Sequence, residues 1–495
     1  MKTKLLLLVF AFLLQNSLSY GQNSQDESKS KQELSLRKSD PVDSIILDLK
    51  KFIPEYKKMQ NIPGVSIALV YDTKIAWADG FGFTNSITKE PVNASTLFEV
   101  ASISKVVTAY IALRLVDEGK LSLDRPLLSY LSKEWMPFSI YQDSIKLNHV
   151  LSHSSGLSKT KREILFNPGS AYYYSANGFN LLKDVIEEVT GEKLEELAQR
   201  LVFQPLGMEN SSFVKKDELL INTANGHIHA IVPIVLFGIL FLVFYFLILL
   251  IGLLIIRWST KSWKLQRIHV IIFITISVMV ITGILFYILG KNSLSEFAFI
   301  TLFIGLPVLA IFLILFQIVR IFILKIVHGI VYQKILSIFW VLLLIGAIIF
   351  SSMKVINLPI PSWTNYEPGS AGTLRTSPTE LAYFMIEIAN PKFLKAETAE
   401  LLRTPQIKLD ENLSWGMGPG IFHSEHGYAL WQWGQHIDFQ SIMIIYPESN
   451  FGVVVCTNND LLNPDVALEI AQHALGENLD AIRSAIHLNY DYSEQ

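Results

Sequence analysis

The stretch Thr96-Leu97-Phe98-Glu99-Val100-Ala101-Ser102-Ile103-Ser104-Lys105-Val106-Val107-Thr108-Ala109-Tyr110 decides how the rest of the chain is read. Within it Ser102 and Lys105 make an S-x-x-K pattern. The pattern alone is weak, because Ser28, Ser35, Ser86, Ser158, Ser212 and Ser351 also begin one. Context separates them. Only Ser102 follows a Thr-Leu-Phe segment and opens a long apolar run, Val106–Val116. On a helix starting near Ser102, positions three apart share a face, so Lys105 falls beside the hydroxyl. A free serine is a poor nucleophile and needs a neighbouring base. A lysine whose pKa is lowered by burial supplies one. The helix N-terminus adds backbone N–H groups for a developing oxyanion.

Working outward, the flanks at 41–226 and 358–485 have a globular pattern. Val42–Met59 has helical spacing. Gly64–Tyr71 and Lys74–Phe83 read as a strand pair turning at Asp72-Thr73. Tyr428–Gln435, Gln440–Tyr446 and Phe451–Thr457 read as three late strands, and Val466–Leu475 as a closing helix. Early strands, late strands and helices between them predict an α+β fold: an antiparallel sheet closed by both chain ends, flanked by helices, with a helical subdomain.

The matching stretches then extend in order along both flanks. They are Ile62-Pro63-Gly64-Val65-Ser66, Val150-Leu151-Ser152-His153-Ser154-Ser155-Gly156-Leu157, Pro168-Gly169, Tyr174-Ser175, Gly178-Phe179-x-Leu181-Leu182 and Pro205-Leu206-Gly207-Met208. Ala371-Gly372-Thr373-Leu374, with Ser377 and Leu381, resumes the series. Together with Thr96-Leu97-Phe98 and Ser102-x-x-Lys105, they make the chain resemble the serine beta-lactamase and penicillin-binding-protein-like hydrolases, in the class C beta-lactamase-related branch. The resemblance implies a beta-lactamase-like fold, Ser102 as the acylated nucleophile and Lys105 as its partner.

Two departures qualify it. The family's second motif is Tyr-x-Asn. Tyr174 fits the tyrosine, but Ala176 stands where the asparagine belongs and Asn177 comes one place late. Ser175-Ala176-Asn177 is therefore a rival S-x-N reading, and Tyr174 is preferred. A cation near Tyr174 would favour its phenolate. The third motif is Lys or His, then x, then Gly. Here it is Gln432-Trp433-Gly434, and Gln435 would supply the second oxyanion N–H. Glutamine brings hydrogen bonds but no cation. This weakens the case for a substrate carboxylate and for beta-lactam turnover. His436 and Asp438 follow closely, as pocket lining or as a solvated turn. Trp431 and Trp433 fall on one strand face. His149 and His153 have i,i+4 spacing, but the resemblance makes them part of a structural loop, and no metal or other cofactor is expected. His227 and His229 are placed at a membrane interface.

Composition sets the remaining bounds. Of 495 residues, 51% are hydrophobic and 17% charged, with mean hydropathy +0.36. That charge content is low for a soluble domain. The net charge of −3 gives no electrostatic case for a nucleic-acid partner. The lone Cys456, read as core, allows no internal disulfide. Lys2 and Lys4 before the apolar Leu5–Leu14, with small residues Ser19 and Gly21, read as a signal peptide over 1–21. Residues 22–40 read as a polar linker and 486–495 as a tail.

Ile231–Ile256, Val270–Leu289, Phe297–Val319 and Ile335–Phe350 read as four transmembrane helices, an insertion over 227–357 that interrupts the domain. Arg257, Lys261, Lys264 and Arg267 in one connection, and Arg320, Lys325 and Lys334 in another, place those loops in the cytoplasm. The expectation is a multi-pass protein of the inner membrane with a periplasmic catalytic domain. Its partners are then the lipid bilayer and a small-molecule or peptide substrate; the oligomeric state is left open. The expected activity is serine hydrolysis, through an acyl-enzyme, of an ester, a peptide or a cell-envelope amide. The rival reading is a catalytically silent or acyl-trapping receptor.

Overall fold

The structure, a computed structural model, describes residues 36–229, 357–360, 369–459 and 465–490. Its centre is an eight-stranded sheet in the order β2-β1-β12-β11-β10-β9-β8-β7. These strands are β1 Gly64–Tyr71, β2 Lys74–Gly82, β7 Ile407–Lys408, β8 Leu413–Trp415, β9 Gly420–Ser424, β10 Gly427–Gln435, β11 Gln440–Tyr446 and β12 Phe451–Thr457. Every pairing is antiparallel. β1 lies against β12 with Val65 opposite Thr457 and Tyr71 opposite Phe451, so the two chain ends close one sheet. The β1–β2 turn puts Asp72 at φ 51 and Thr73 at φ 62, the left-handed pair that a two-residue hairpin turn requires.

Both faces of the sheet are covered, and for that reason its central strands read as near-continuous apolar runs. Side chains still alternate. Ile67, Leu69, Val453, Val455, Ile442, Ile444 and Trp431 join one core, under the helices Val42–Met59, Val466–Leu475 and Asp480–Tyr490. Ala68, Val70, Val454, Cys456, Met443, Ile445 and Leu430 join the other, against the helices Ser104–Asp117 and Pro378–Ala389. The helix Ser104–Asp117 is buried almost all round. This fits an apolar run with no polar stripe. Two ribbons stand apart from the sheet. β3 (Phe98–Glu99) pairs with β6 (Arg375–Thr376). β4 (Gly226–His229) pairs with β5 (Asn357–Ile360), with His229 opposite Asn357.

Several expectations change. The antiparallel α+β architecture is present, but the four transmembrane helices of the predicted fold class are corrected. Among the described residues no helix is long and apolar enough to cross a membrane. The four apolar runs within 231–350 lie outside the described residues, as does the signal-peptide segment 1–21. The linker reading ends early: Arg37 ion-pairs with Asp40 and Asp48, at 3.1 and 2.7 Å, and docks the chain at 37–39. The tail boundary at 486 falls inside the helix Asp480–Tyr490, where Ile486 is buried in the second core. His227 is not interfacial. It is 1% exposed, takes the Ser86 N–H on Nε2 at 3.0 Å, and meets the Asn458 carbonyl through Nδ1 at 3.0 Å. Burial pulls its pKa down to about 4, against the pull of the Asn458 and Asn225 backbone.

Candidate active site

The chain reaches Ser102 through β3 and a tight turn. Ala101 adopts φ 44, a left-handed conformation that costs a non-glycine residue energy. A 3-10 turn, Ala101–Ile103, follows, and the helix begins at Ser104. Ala101 and Ile103 are fully buried while Ser102 is half-buried, so the turn holds its hydroxyl up between two anchored neighbours. Backbone N–H groups at such a helix start lack intrahelical partners.

Lys105 comes from the first turn of that helix and is 3% exposed. Its Nζ lies 2.9 Å from Ser102 Oγ and donates to the Ala371 carbonyl at 2.8 Å. Among the described residues no carboxylate takes part. Burial alone pulls the Lys105 pKa down to about 7. Near neutral pH a large share of this amine is therefore uncharged, with a lone pair to accept the Ser102 proton.

Tyr174 completes the group. Its hydroxyl hydrogen-bonds with Ser102 and accepts from Gln432 Nε2 at 3.3 Å, and its ring centroid is 5.0 Å from Lys105 Nζ. Burial pushes its hydroxyl well above the ordinary tyrosine value, and the bonds to Ser102 and Gln432 recover only part of that shift. The expected phenolate is thus corrected: with the lysine charge weakened by burial, the phenol keeps its proton. An aromatic cage fixes the ring. His153 lies 4.1 Å from it and Trp433 5.0 Å, centroid to centroid. His153, at φ 55, takes the Ser175 N–H on Nδ1 at 3.2 Å and holds the segment from behind. Burial drives its pKa far down and the Lys105 charge adds to this, so the ring is neutral.

The rival S-x-N reading fails on geometry. Ser175 is the N-cap of the helix Ala176–Thr190: its Oγ accepts the Gly178 N–H at 3.4 Å and donates to the Ser158 carbonyl at 3.2 Å. Asn177 is corrected as a substrate-binding residue. Its Nδ2 is engaged with the Ser158 and Lys161 carbonyls, at 2.9 and 3.0 Å, where it pins a loop.

The end of β10 forms the opposite wall. Gln432 is fully buried, and its Nε2 also donates to the Trp433 carbonyl at 3.0 Å, which sets the orientation of the amide. Gly434 is required by close approach: a Cβ there would lie 2.0 Å from the Val100 carbonyl oxygen. Ser441 Oγ donates to the same carbonyl at 3.0 Å. The strand end carrying Gln435 is thereby pressed against the turn that carries Ser102. Trp431 and Trp433 stack at 5.6 Å on the sheet's other face, in its core, and Trp433 also touches Tyr174.

Three residues that sequence reasoning gave no joint role meet beside this wall. Glu99 contacts Arg375 through one carboxylate oxygen and His436 through the other. Burial raises the Glu99 pKa, but the His436 hydrogen bond and the charges of His436 and Arg375 outweigh it and hold the carboxyl below the usual range. Asp438 is pushed up to about 6 by burial and by Glu99. No local spacing announces this cluster, because its members lie on three distant segments. A concavity of about 540 Å³ lined by Asn412, His423, Glu477 and Asp480 contains none of the Ser102 group.

The family profile described as Beta-lactamase matches residues 49–229. A hydrolase of unguisins from Aspergillus violaceofuscus is 27% identical over a 215-position alignment that covers 36% of this chain and 36% of that protein. A D-aminopeptidase from Brucella anthropi is 25% identical over 205 residues, 36% of this chain and 38% of that protein. The chain thus aligns with little more than a third of the length of either relative. Among solved structures, EstCE1, a hydrolase with promiscuous acyltransferase activity, superposes with a TM-score of 0.56 at 15% identity, covering 88% of this chain and 99% of that one. That likeness establishes a beta-lactamase-like fold.

Proposed function

We propose that this protein is a serine hydrolase that forms an acyl-enzyme on Ser102 with an ester or amide substrate. The observation that carries the reading is the buried Lys105 amine, 2.9 Å from Ser102 Oγ and with a pKa of about 7. A lysine built only for structure gains nothing from being buried without an anionic partner. A lysine serving as a base gains a lone pair near neutral pH.

The chemistry follows from the contacts. Neutral Lys105 takes the Ser102 proton as Oγ bonds to the substrate carbonyl carbon. The tetrahedral oxyanion lies between the turn at Ser102, just before the helix start, and the end of β10 at Gln435. As the carbonyl re-forms, the bond to the leaving group breaks, and protonated Tyr174 donates to that group. The proton held on Lys105 replaces the one Tyr174 gave up. Water then adds to the acyl carbon as Lys105 takes its proton, the acyl–Oγ bond breaks, and Lys105 returns that proton to Ser102 Oγ. Gln432 offers no cation to a substrate carboxylate, so the reading favours acyl donors without a free carboxylate at that position. The two relatives named as hydrolase and D-aminopeptidase fit this class.

Turnover of a panel of p-nitrophenyl esters and D-aminoacyl p-nitroanilides, beside Ser102→Ala, tests the reading. Release of p-nitrophenol or p-nitroaniline that vanishes in Ser102→Ala is the expected result. No turnover of any member, or turnover kept by Ser102→Ala, would sink it.

A further inference from the structure

Beside the Ser102 group, three segments are joined by charged contacts that the mechanism does not use. β3 leads into the Ser102 turn. The segment 371–376 supplies the Ala371 carbonyl to Lys105 at one end and pairs Arg375 with Glu99 at the other. The end of β10 carries Gln435 and then His436. One carboxylate reaches all three: Glu99, on β3, contacts Arg375 with one oxygen and His436 with the other. Glu99 and Arg375 are 5% and 2% exposed, whereas the His436 side chain is 33% exposed.

Further contacts give the arrangement direction. A Cβ on Gly372 would lie 3.2 Å from His436 Nε2, so that edge of the imidazole comes close to the turn next to Ala371. The His436 N–H donates to the Phe439 carbonyl at 2.9 Å, and Phe439 packs edge-on against Phe98 of β3 at 6.4 Å. His436 is therefore tied to β3 by its side chain and by the turn that follows it. On the other side, Leu374 O accepts the Val100 N–H at 3.1 Å, and Leu374 N donates to Ser104 Oγ at 3.0 Å. Each piece that sets Ser102, Lys105 or Gln435 thus meets the Glu99 cluster.

We propose that Glu99 and His436 are positioning residues that hold the end of β10 and the Ala371 turn in register with Ser102, so that His436 governs the acylation step without touching substrate. The inference rests on the serine-hydrolase reading above. It places the control of geometry in a salt-bridged cluster rather than in the acylation residues themselves. Loss of the imidazole removes one of the ties between the end of β10 and β3, while the Phe439–Phe98 and Ser441–Val100 contacts and the Ser102–Lys105 hydrogen bond stay in place. The base is then intact and the oxyanion wall is held less tightly in register.

The test is the rate at which a fluorophosphonate labels the full-length protein, together with kcat and KM on a p-nitrophenyl ester. The variants are His436→Leu and His436→Gln. Glu99→Gln is the more obvious change, but it takes the Glu99 charge away from the buried Arg375 and endangers folding. His436 is a third exposed, and its variants avoid that problem. His436→Leu is expected to lower the labelling rate and kcat by roughly 10- to 100-fold, as misplacement of reacting groups does. KM and the thermal midpoint should stay near wild type. His436→Gln, which keeps a donor toward Glu99, should recover most of the rate. Labelling and kcat at the wild-type level in His436→Leu would overturn the inference. So would an equal loss in both variants, or a loss that merely follows a fall in the thermal midpoint. Wild-type protein is the control that separates the two claims: if it takes no label, the hydrolase reading fails, and this inference fails with it.

Discussion

Lys105→Met should make the protein inactive and more stable. The wild-type amine is moved from 10.5 to about 7 by burial. Each pKa unit is worth about 1.4 kcal/mol, so carrying this lysine into the fold costs roughly 5 kcal/mol below pH 7. Between about pH 7 and 10.5 the unfolded chain holds a proton there that the folded chain does not. Wild-type stability therefore rises with pH across that window, and the cost is fully present below it. Methionine has a similar reach and carries no charge. Its one drawback is the Ala371 carbonyl, which loses the donor it meets at 2.8 Å. An unsatisfied buried acceptor costs about 1–3 kcal/mol. The net expectation at pH 6.5 is a gain of about 2–4 kcal/mol, shrinking as pH rises. Urea unfolding of both proteins, followed by tryptophan fluorescence from pH 6.5 to 9.5, measures it. A Lys105→Met protein that is less stable at pH 6.5, or that keeps the wild-type slope with pH, would refute the claim that Lys105 is held largely neutral by burial.

Other outcomes follow from the same geometry. The acylation rate of wild type should climb as pH rises through about 7, because the neutral amine is the active form. Stopped-flow ester kinetics across pH 5.5–8.5 would show that limb, and a flat profile would contradict it. Tyr174→Phe keeps the ring in its cage but removes the hydroxyl that meets Ser102 and Gln432. It should slow turnover by about 10²–10⁴-fold with little change in melting temperature. Gly434→Ala places a Cβ 2.0 Å from the Val100 carbonyl oxygen, so the end of β10 must move. Labelling should fall sharply, with a stability loss of about 1–3 kcal/mol by urea titration. Asn177→Ala should cost about 1 kcal/mol through the lost hydrogen bonds to the Ser158 and Lys161 carbonyls and leave the labelling rate unchanged, since its amide faces that loop.

The sheet's long strands were legible because they are long. β1, β11, β12 and the helix Val466–Leu475 coincide with their predicted bounds, and β2 and β10 differ by one residue. Each is an apolar run bounded by turn residues, and burial on both faces keeps those runs unbroken. β3 and β6 to β9 have only two to five residues each, too few for alternation to show. β7 to β9 extend the ladder that β10 offers, whereas β3 and β6 form a two-residue ribbon beside the sheet.

In the candidate site, Ser102, Lys105, Tyr174 and Gln432 were all named from sequence, and the structure brings them together. The Ser175 alternative could have been settled beforehand. A serine immediately before a helical run is a better N-cap than a nucleophile. Asn177 misled because nearness in sequence to Tyr174 says nothing of direction: one step along the first turn of a helix rotates a side chain by about 100°. The protonation of Tyr174 is hidden from the sequence for a different reason. Lys105 is visible there as a nearby cation, but the burial that weakens its charge and raises the tyrosine is not. The Glu99–Arg375–His436 cluster had no signal at all, since its residues meet only once the sheet has folded.

The central claim is that Ser102 is an activated nucleophile with Lys105 as its base. Intact-mass spectrometry of the full-length protein after fluorophosphonate treatment tests it most directly, on wild type and Ser102→Ala side by side. The account predicts a single adduct on wild type, mapped to the peptide carrying Ser102, formed faster at pH 8 than at pH 6 and absent from Ser102→Ala. No adduct on folded wild-type protein, or an adduct that survives in Ser102→Ala, would contradict it.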